Sequence, residues 1–197
     1  MIKRILLFVI LSVSNTFAAD INVVSINIID ETLWNSLKQL FVNTFSEAYK
    51  QVDIKDIAKN CTSTVSYLHD LFDFDRKSIQ NLNFDIVLIT ENQELLGYVL
   101  CCYLSDSKTV YIHHLVVDSS RHNKGIGKKL ISACENFYSE AKYHALSTRR
   151  FNLKAIGFYK HVGFYETDNA PEIAYVIRPT AKNNSQIVNL KKVINAR

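Results

Sequence analysis

Glycine is scarce in this chain, and its placement is the tightest constraint on the fold. The 197 residues include only 5 glycines and 2 prolines. Gly125 and Gly127 fall in one short segment, Gly157 and Gly163 in another, and Gly97 stands apart. The first pair lies in RHNKGIGK, residues 121–128, between a β-rich run and a run with helical spacing. Glycine at such a junction permits a tight turn and a close approach of backbone to a ligand. The helix that follows presents free amide hydrogens and the positive end of its dipole, and Lys124, Lys128 and Lys129 add formal charge. A pyrophosphate fits this arrangement. The spacing matches neither G-x-G-x-x-G nor G-x-x-x-x-G-K-[ST], which excludes the dinucleotide and P-loop fingerprints.

The pattern around that loop predicts one domain. Residues 21–28, INVVSINI, read as a first strand. Asp30 offers a helix cap, and Leu33, Leu37, Leu40, Phe41, Thr44, Phe45 and Ala48 recur at helical spacing. A second helix is expected over residues 54–72, with Asp70, Asp73 and Asp75 clustered near its end. Residues 86–90, 95–104 and 109–118 are β-rich and joined by the short turns ENQE and SDSK, so they form an antiparallel meander. After Gly127, Leu130, Ile131, Cys134, Phe137 and Tyr138 share one helical face. A short strand at 143–148, a helix at 152–162 stopped by Gly163, and strands at 164–166 and 173–177 complete the domain. Residues 21–178 thus read as one α/β (α+β) unit, a mixed, mostly antiparallel sheet flanked by helices. Residues 179–197 read as a polar, loosely held tail.

Composition narrows the function. Hydrophobic residues make up 48% and charged residues 21% of the chain, the balance of an ordinary soluble globule. Basic residues gather between 121 and 150, at Arg121, Lys124, Lys128, Lys129, Lys142, Arg149 and Arg150, against Glu135 and Glu140. Such a patch attracts a phosphorylated ligand or a nucleic acid, but no nucleic-acid recognition motif accompanies it. Cys61, Cys101, Cys102 and Cys134 lack zinc or redox spacing and read as small core residues, so no metal is expected. Residues 1–18 have the layout of a secretory signal peptide: Lys3 and Arg4, an apolar run at 5–13, and small residues that place cleavage after Ala18. The run is shorter than the roughly 20 residues of a membrane span. A working leader makes the protein secreted or periplasmic; otherwise it is cytoplasmic.

Two segments then carry a resemblance. VDSSRHNKGIGKKL resembles the acetyl-CoA pyrophosphate loop of the GNAT acetyltransferase superfamily, [Q/R]-x-x-G-x-[G/A], with His122 where Gln or Arg is usual. NLKAIGFYKHVGF, residues 152–164, is similar to the family's N-x-x-A-x-x-F-Y-x-x-x-G-F helix at Asn152, Ala155, Phe158, Tyr159, Gly163 and Phe164. The resemblance implies the GNAT fold and an N-acetyltransferase that uses acetyl-CoA as co-substrate, without a metal. It implies that His122, Asn123, Lys124, Gly125, Ile126, Gly127 and Lys128 hold the pyrophosphate. Leu115, Val116 and Val117 would pair with the pantetheine arm where their strand splays at a bulge, and a main-chain amide there would polarise the thioester carbonyl. Asn152 would hydrogen-bond the arm, and Tyr159 would protonate the leaving thiolate.

A base for the amine is less sharply marked. Alternation places Tyr111, His113 and Leu115 on one face of their strand and His114 on the other. Some relatives carry a base at the His113 position, and a bulge would bring in His114 instead. The carboxylate that other relatives place ahead of Asn152 is replaced by Ser147, Thr148, Arg149 and Arg150. The helices between the first two strands line the acceptor site in the family. Asp70, Asp73 and Asp75 would there favour a cationic amine, either a small molecule or a peptide. A noncatalytic acyl-CoA-binding module or sensor is the alternative reading, and a homodimer is compatible with either. An exported enzyme would meet little acetyl-CoA, which sets the leader against the loop.

Overall fold

The computed structural model describes residues 19–58, 60–179 and 184–194, so the expected leader lies outside them. Among the described residues seven strands form one sheet: β1 (Asp20–Ser25), β2 (Asp85–Glu91), β3 (Glu94–Leu104), β4 (Thr109–Val117), β5 (Tyr143–Arg149), β6 (Tyr165–Thr167) and β7 (Ile187–Val193). Their spatial order is β1-β2-β3-β4-β5-β7-β6. Neighbours are antiparallel except β4 with β5. A parallel pair needs a crossover, here α3 (Ile126–Phe137). α1 (Glu31–Tyr49) and α2 (Thr64–Ile79) share one core with one face of the sheet. α3 and α4 (Leu153–His161) share a second core with the other face. No helix among the described residues is long and apolar enough to cross a membrane.

Local chemistry sets the boundaries. The Asp30 carboxylate accepts from the Leu33 amide at 2.8 Å and starts α1. Expected as one helix over 54–72, the next segment divides, because Asp53 and Ser63 each cap a separate start. Residues 54–56 form a single 3-10 turn, and α2 runs on to Ile79, so the three aspartates lie within it rather than at its end. The first strand stops at Ser25, where Ile26 turns into the core and its amide donates to the Phe84 carbonyl at 3.2 Å.

The C-terminal expectations need two corrections. Residues 172–177 form a helix, α5, not a strand. Pro171 precedes it, Glu172 suits its first turn, and the buried Ala174 and Ile177 are three apart, a helical spacing. The presumed loose tail contributes β7, which inserts between β5 and β6. Buried Val188 and Leu190 alternate with Asn189 and Lys191, a period of two that polar composition obscured. Between β6 and β7 the chain changes sides. Ala174 and Ile177 of α5 join the α1/α2 core, whereas Val188 and Leu190 join the other.

Two features of β4 position everything that follows. Leu100 of β3 faces His114 while Cys101 faces Ile112, so His113 is the extra residue of a bulge. The bulge turns both histidines toward the α1/α2 face, their rings 4.5 Å apart, and resets the alternation beyond them. Leu115, expected on the face of His113, packs against the α3/α4 core instead. The pairing of β4 with β5 covers Thr109 to Ile112 against Tyr143 to Leu146 and stops there. Beyond it β4 stays with β3 and β5 stays with β7, leaving a wedge-shaped gap between them.

Candidate active site

The loop from β4 to α3 leads the chain round the open end of that gap. Asp118 accepts from the Ser120 amide at 2.8 Å and its hydroxyl at 2.6 Å, which rounds off a 3-10 turn. Asn123 and Gly125 then adopt left-handed conformations with φ of 63° and 77°. Gly125 is the N-cap of α3, and a Cβ there would meet nothing within 4 Å. Glycine is needed for its dihedral angle, not for space. The amides of Ile126, Gly127 and Lys128 in the first turn have no intrahelical acceptor and can hold an anion, with the exposed Lys124 and Lys128 adding charge. Gly127 has a different reason: a Cβ there would lie 3.0 Å from the Phe158 ring. The second glycine of the motif lets α3 settle against α4.

His122 turns back onto the end of β4. Its Nε2 lies 3.0 Å from the Val117 carbonyl oxygen, which makes the ring an Nε2–H donor there. The Thr44 hydroxyl donates to the same oxygen at 3.2 Å. Both lone pairs of this carbonyl are committed within the protein. Of the neighbouring residues expected to meet a pantetheine arm, Val116 is fully buried on the α1/α2 side, and Leu115 is half-buried on the other.

α4 closes the far wall. Asn152 caps it, its Oδ1 accepting from the Ala155 amide at 3.3 Å, and the carboxamide nitrogen remains a donor. Tyr159 is buried between Phe158 and Phe164, at centroid distances of 5.4 and 5.5 Å. Burial, and to a lesser extent the Tyr111 phenol, pushes its pKa up, so it keeps its proton at neutral pH.

The opposite face of β4 holds a buried polar cluster. Arg178, just after α5, donates from Nε to Asp75 Oδ1 at 3.0 Å and from Nη2 to Oδ2. His114 Nε2 lies 2.9 Å from the same Oδ2, and its Nδ1 lies 3.4 Å from the Tyr98 hydroxyl. His113 Nε2 is 3.4 Å from Asp75 Oδ2 but out of line, and it is a sealed nitrogen without a hydrogen bond. Burial alone would raise the Asp75 pKa. Arg178 and the imidazoles outweigh it and hold the carboxyl well below its usual range. Burial lowers both histidines, His114 to about 4, so both are neutral at pH 7. Asp75, His113 and His114 bring ligand-type atoms within 4.8 Å of one another, but a guanidinium already spans the carboxylate.

The three aspartates of α2 lie in different surroundings. Asp75 is internal and matched to Arg178, Asp73 pairs with Lys38 at 2.7 Å, and Asp70 is on the exposed side of α2. The burial of Asp75 had a signal: Leu68, Phe72, Asp75 and Ile79 follow the helical spacing of a core face. Arg178, the last residue read as part of the domain, had none.

Comparison with known proteins agrees with this geometry. Residues 34–164, more than half of the chain, match the model of the acetyltransferase (GNAT) family. The fold resembles the PaiA N-acetyltransferase of Thermoplasma acidophilum, solved with coenzyme A, at 15% identity and a TM-score of 0.61 over 88% of this chain and 99% of that one. It also resembles Tetrahymena GCN5, at 14% identity and 0.60 over 90% and 98%. A GNAT-family acetyltransferase of Staphylococcus aureus Mu50 gives 16% identity and 0.59 over 89% and 99%. A search of curated sequences finds no match. The wedge between β4 and β5, the left-handed glycine ahead of α3 and the family match lead to one conclusion: the chain belongs to the acetyltransferase (GNAT) family.

Proposed function

We propose that this acetyltransferase passes the acetyl group of acetyl-CoA directly to an amine, with Tyr159 as general acid and His113 as base. The observation that carries this reading is the parting of β4 from β5 after Ile112 and Leu146, beside the free amides of α3. The residues present fit the co-substrate. The first turn of α3 suits a pyrophosphate, the exposed edge of β4 near Leu115 suits an amide-bearing arm, and Asn152 keeps a donor for it. Acetyl-CoA supplies the activated acyl group.

The proton steps fall to the chain. Tyr159 is protonated at pH 7 and lies in the helix beyond the gap, so it suits delivery of a proton to the departing thiolate. His113 is neutral and its Nε2, sealed beside Asp75, makes no hydrogen bond, whereas the Nε2 of His114 is engaged by Asp75. To take the proton of the amine, the His113 ring must turn toward the gap or be reached through a water. A proton taken from the amine onto His113 would be stabilised by the Asp75 carboxylate 3.4 Å away. Tyr159→Phe tests the reading. Turnover, followed as free CoA thiol, should fall by about 10²-fold or more, with acetyl-CoA affinity unchanged. Unchanged turnover removes Tyr159 from the mechanism. Acetyl-CoA binding without turnover of any amine by the parent protein would favour a noncatalytic binding module.

A further inference from the structure

We infer that the acceptor is a small amine that also carries a carboxylate, of the amino-acid class, and that Arg149 receives that carboxylate. This rests on the transferase reading above and names its acceptor. β5 alternates so that His144 and Leu146 face the α3/α4 core, which places Arg149 on the α1/α2 face. Arg149 is the last residue of β5, beyond the point where β4 has parted from it. Its Nη2 donates to the Tyr67 hydroxyl at 3.4 Å, so the guanidinium bridges β5 and the start of α2 at the mouth of the gap. Tyr67 packs on Tyr49 at 6.0 Å, and Tyr49 on Phe151 at 4.8 Å, giving that mouth aromatic walls.

The charges on this face do not cancel. Arg178 is matched by Asp75 and Lys38 by Asp73, while His113 and His114 are neutral. Among the described residues Arg149 has no carboxylate within 4 Å and is only half-buried. A partly desolvated guanidinium with a neutral partner is a bidentate carboxylate receptor. It repels a polyamine such as spermidine, one of the cationic amines that the three aspartates would have favoured. The transfer is unaltered by this choice. The nitrogen bonds to the acetyl carbon, the carbon–sulfur bond breaks, and the proton lost by the amine balances the one gained by the thiol.

The test is a turnover panel with full-length protein and acetyl-CoA, pairing each standard amino acid with its carboxamide and including spermidine. The best amino acid should exceed its own amide at least tenfold in kcat/KM, and spermidine should be poor. Arg149→Gln should raise KM for the amino acid about tenfold with kcat nearly unchanged, should leave the amide unaffected, and Arg149→Lys should recover part of the loss. Amides or spermidine turned over as well as amino acids would overturn this inference while leaving the transferase intact. No turnover with any amine, despite acetyl-CoA binding, would remove the transferase reading and this inference with it.

Discussion

The two faces of β4 are built by different means. Toward α3 and α4 the strand presents Val110, Ile112, Leu115 and Val117 to an apolar core, beside the free amides in the first turn of α3. Toward α1 and α2 it presents Tyr111, His113 and His114, met by Asp75 from one helix and Arg178 from a distant connection. One face relies on main-chain geometry and packing, the other on a buried network of charges. That network makes the face specific, because each member leans on the others.

Removing Asp75 breaks that contrast most strongly. Asp75→Ala leaves Arg178 and two imidazoles without their anion, and losing one partner of a buried pair costs about 3–5 kcal/mol. Asp75→Asn, which keeps the shape and one acceptor, should cost less. Urea denaturation of the two variants checks the order; equal and small losses would mean that the network contributes little.

A pH titration separates the two faces next. His144 is fully buried on the α3/α4 side, stacked 6.3 Å from Phe164, with both ring nitrogens unpaired. Burial lowers its pKa to about 4. The unfolded chain, near 6.5, then binds more protons than the native one between those values, so stability falls as pH drops from about 6.5 to 4. The full loss is of order 3 kcal/mol. His144→Leu should flatten this part of the profile and stabilise the protein at pH 5, since it also removes two unsatisfied nitrogens. An unchanged slope would assign the dependence to His113 and His114.

The two glycines of the loop give smaller and distinguishable effects. In Gly127→Ala the new methyl presses on the Phe158 ring at 3.0 Å; if the packed ring does not give way, overpacking costs about 1–3 kcal/mol and loosens α3 from α4. Gly125→Ala meets open space and pays only for its dihedral angle, about 1 kcal/mol. Thermal melts should rank them in that order, and the reverse would place the strain in the turn.

The same contrast explains what the sequence could reveal. The α3/α4 face was legible because its glycines, Asn152 and the Phe158–Tyr159 pair lie in two contiguous segments. The resemblance implied a bulge in β4 but not its position, since which residue is extra depends on register with β3. Asp75 and Arg178 stand 103 positions apart. Nothing local in either segment announces a bond that exists only once α5 has crossed to the far face. β7 was hidden differently: its lysines and asparagine masked two buried residues that a stricter test for alternation would have found.

The smallest expected effect sharpens the comparison at its boundary. His122 occupies the position where relatives carry Gln or Arg, yet its Nε2–H is directed to the Val117 carbonyl, 3.0 Å away. If the anion grip rests on the amides of α3, His122→Ala should change acetyl-CoA affinity by no more than about threefold. The lost hydrogen bond at an exposed site should cost about 1 kcal/mol or less, because Thr44 still serves the same oxygen. Calorimetry with CoA at two salt concentrations reads both quantities. A tenfold loss with a shallower salt dependence would make the imidazole a phosphate ligand in its own right, and the backbone account of this face would then need a side chain.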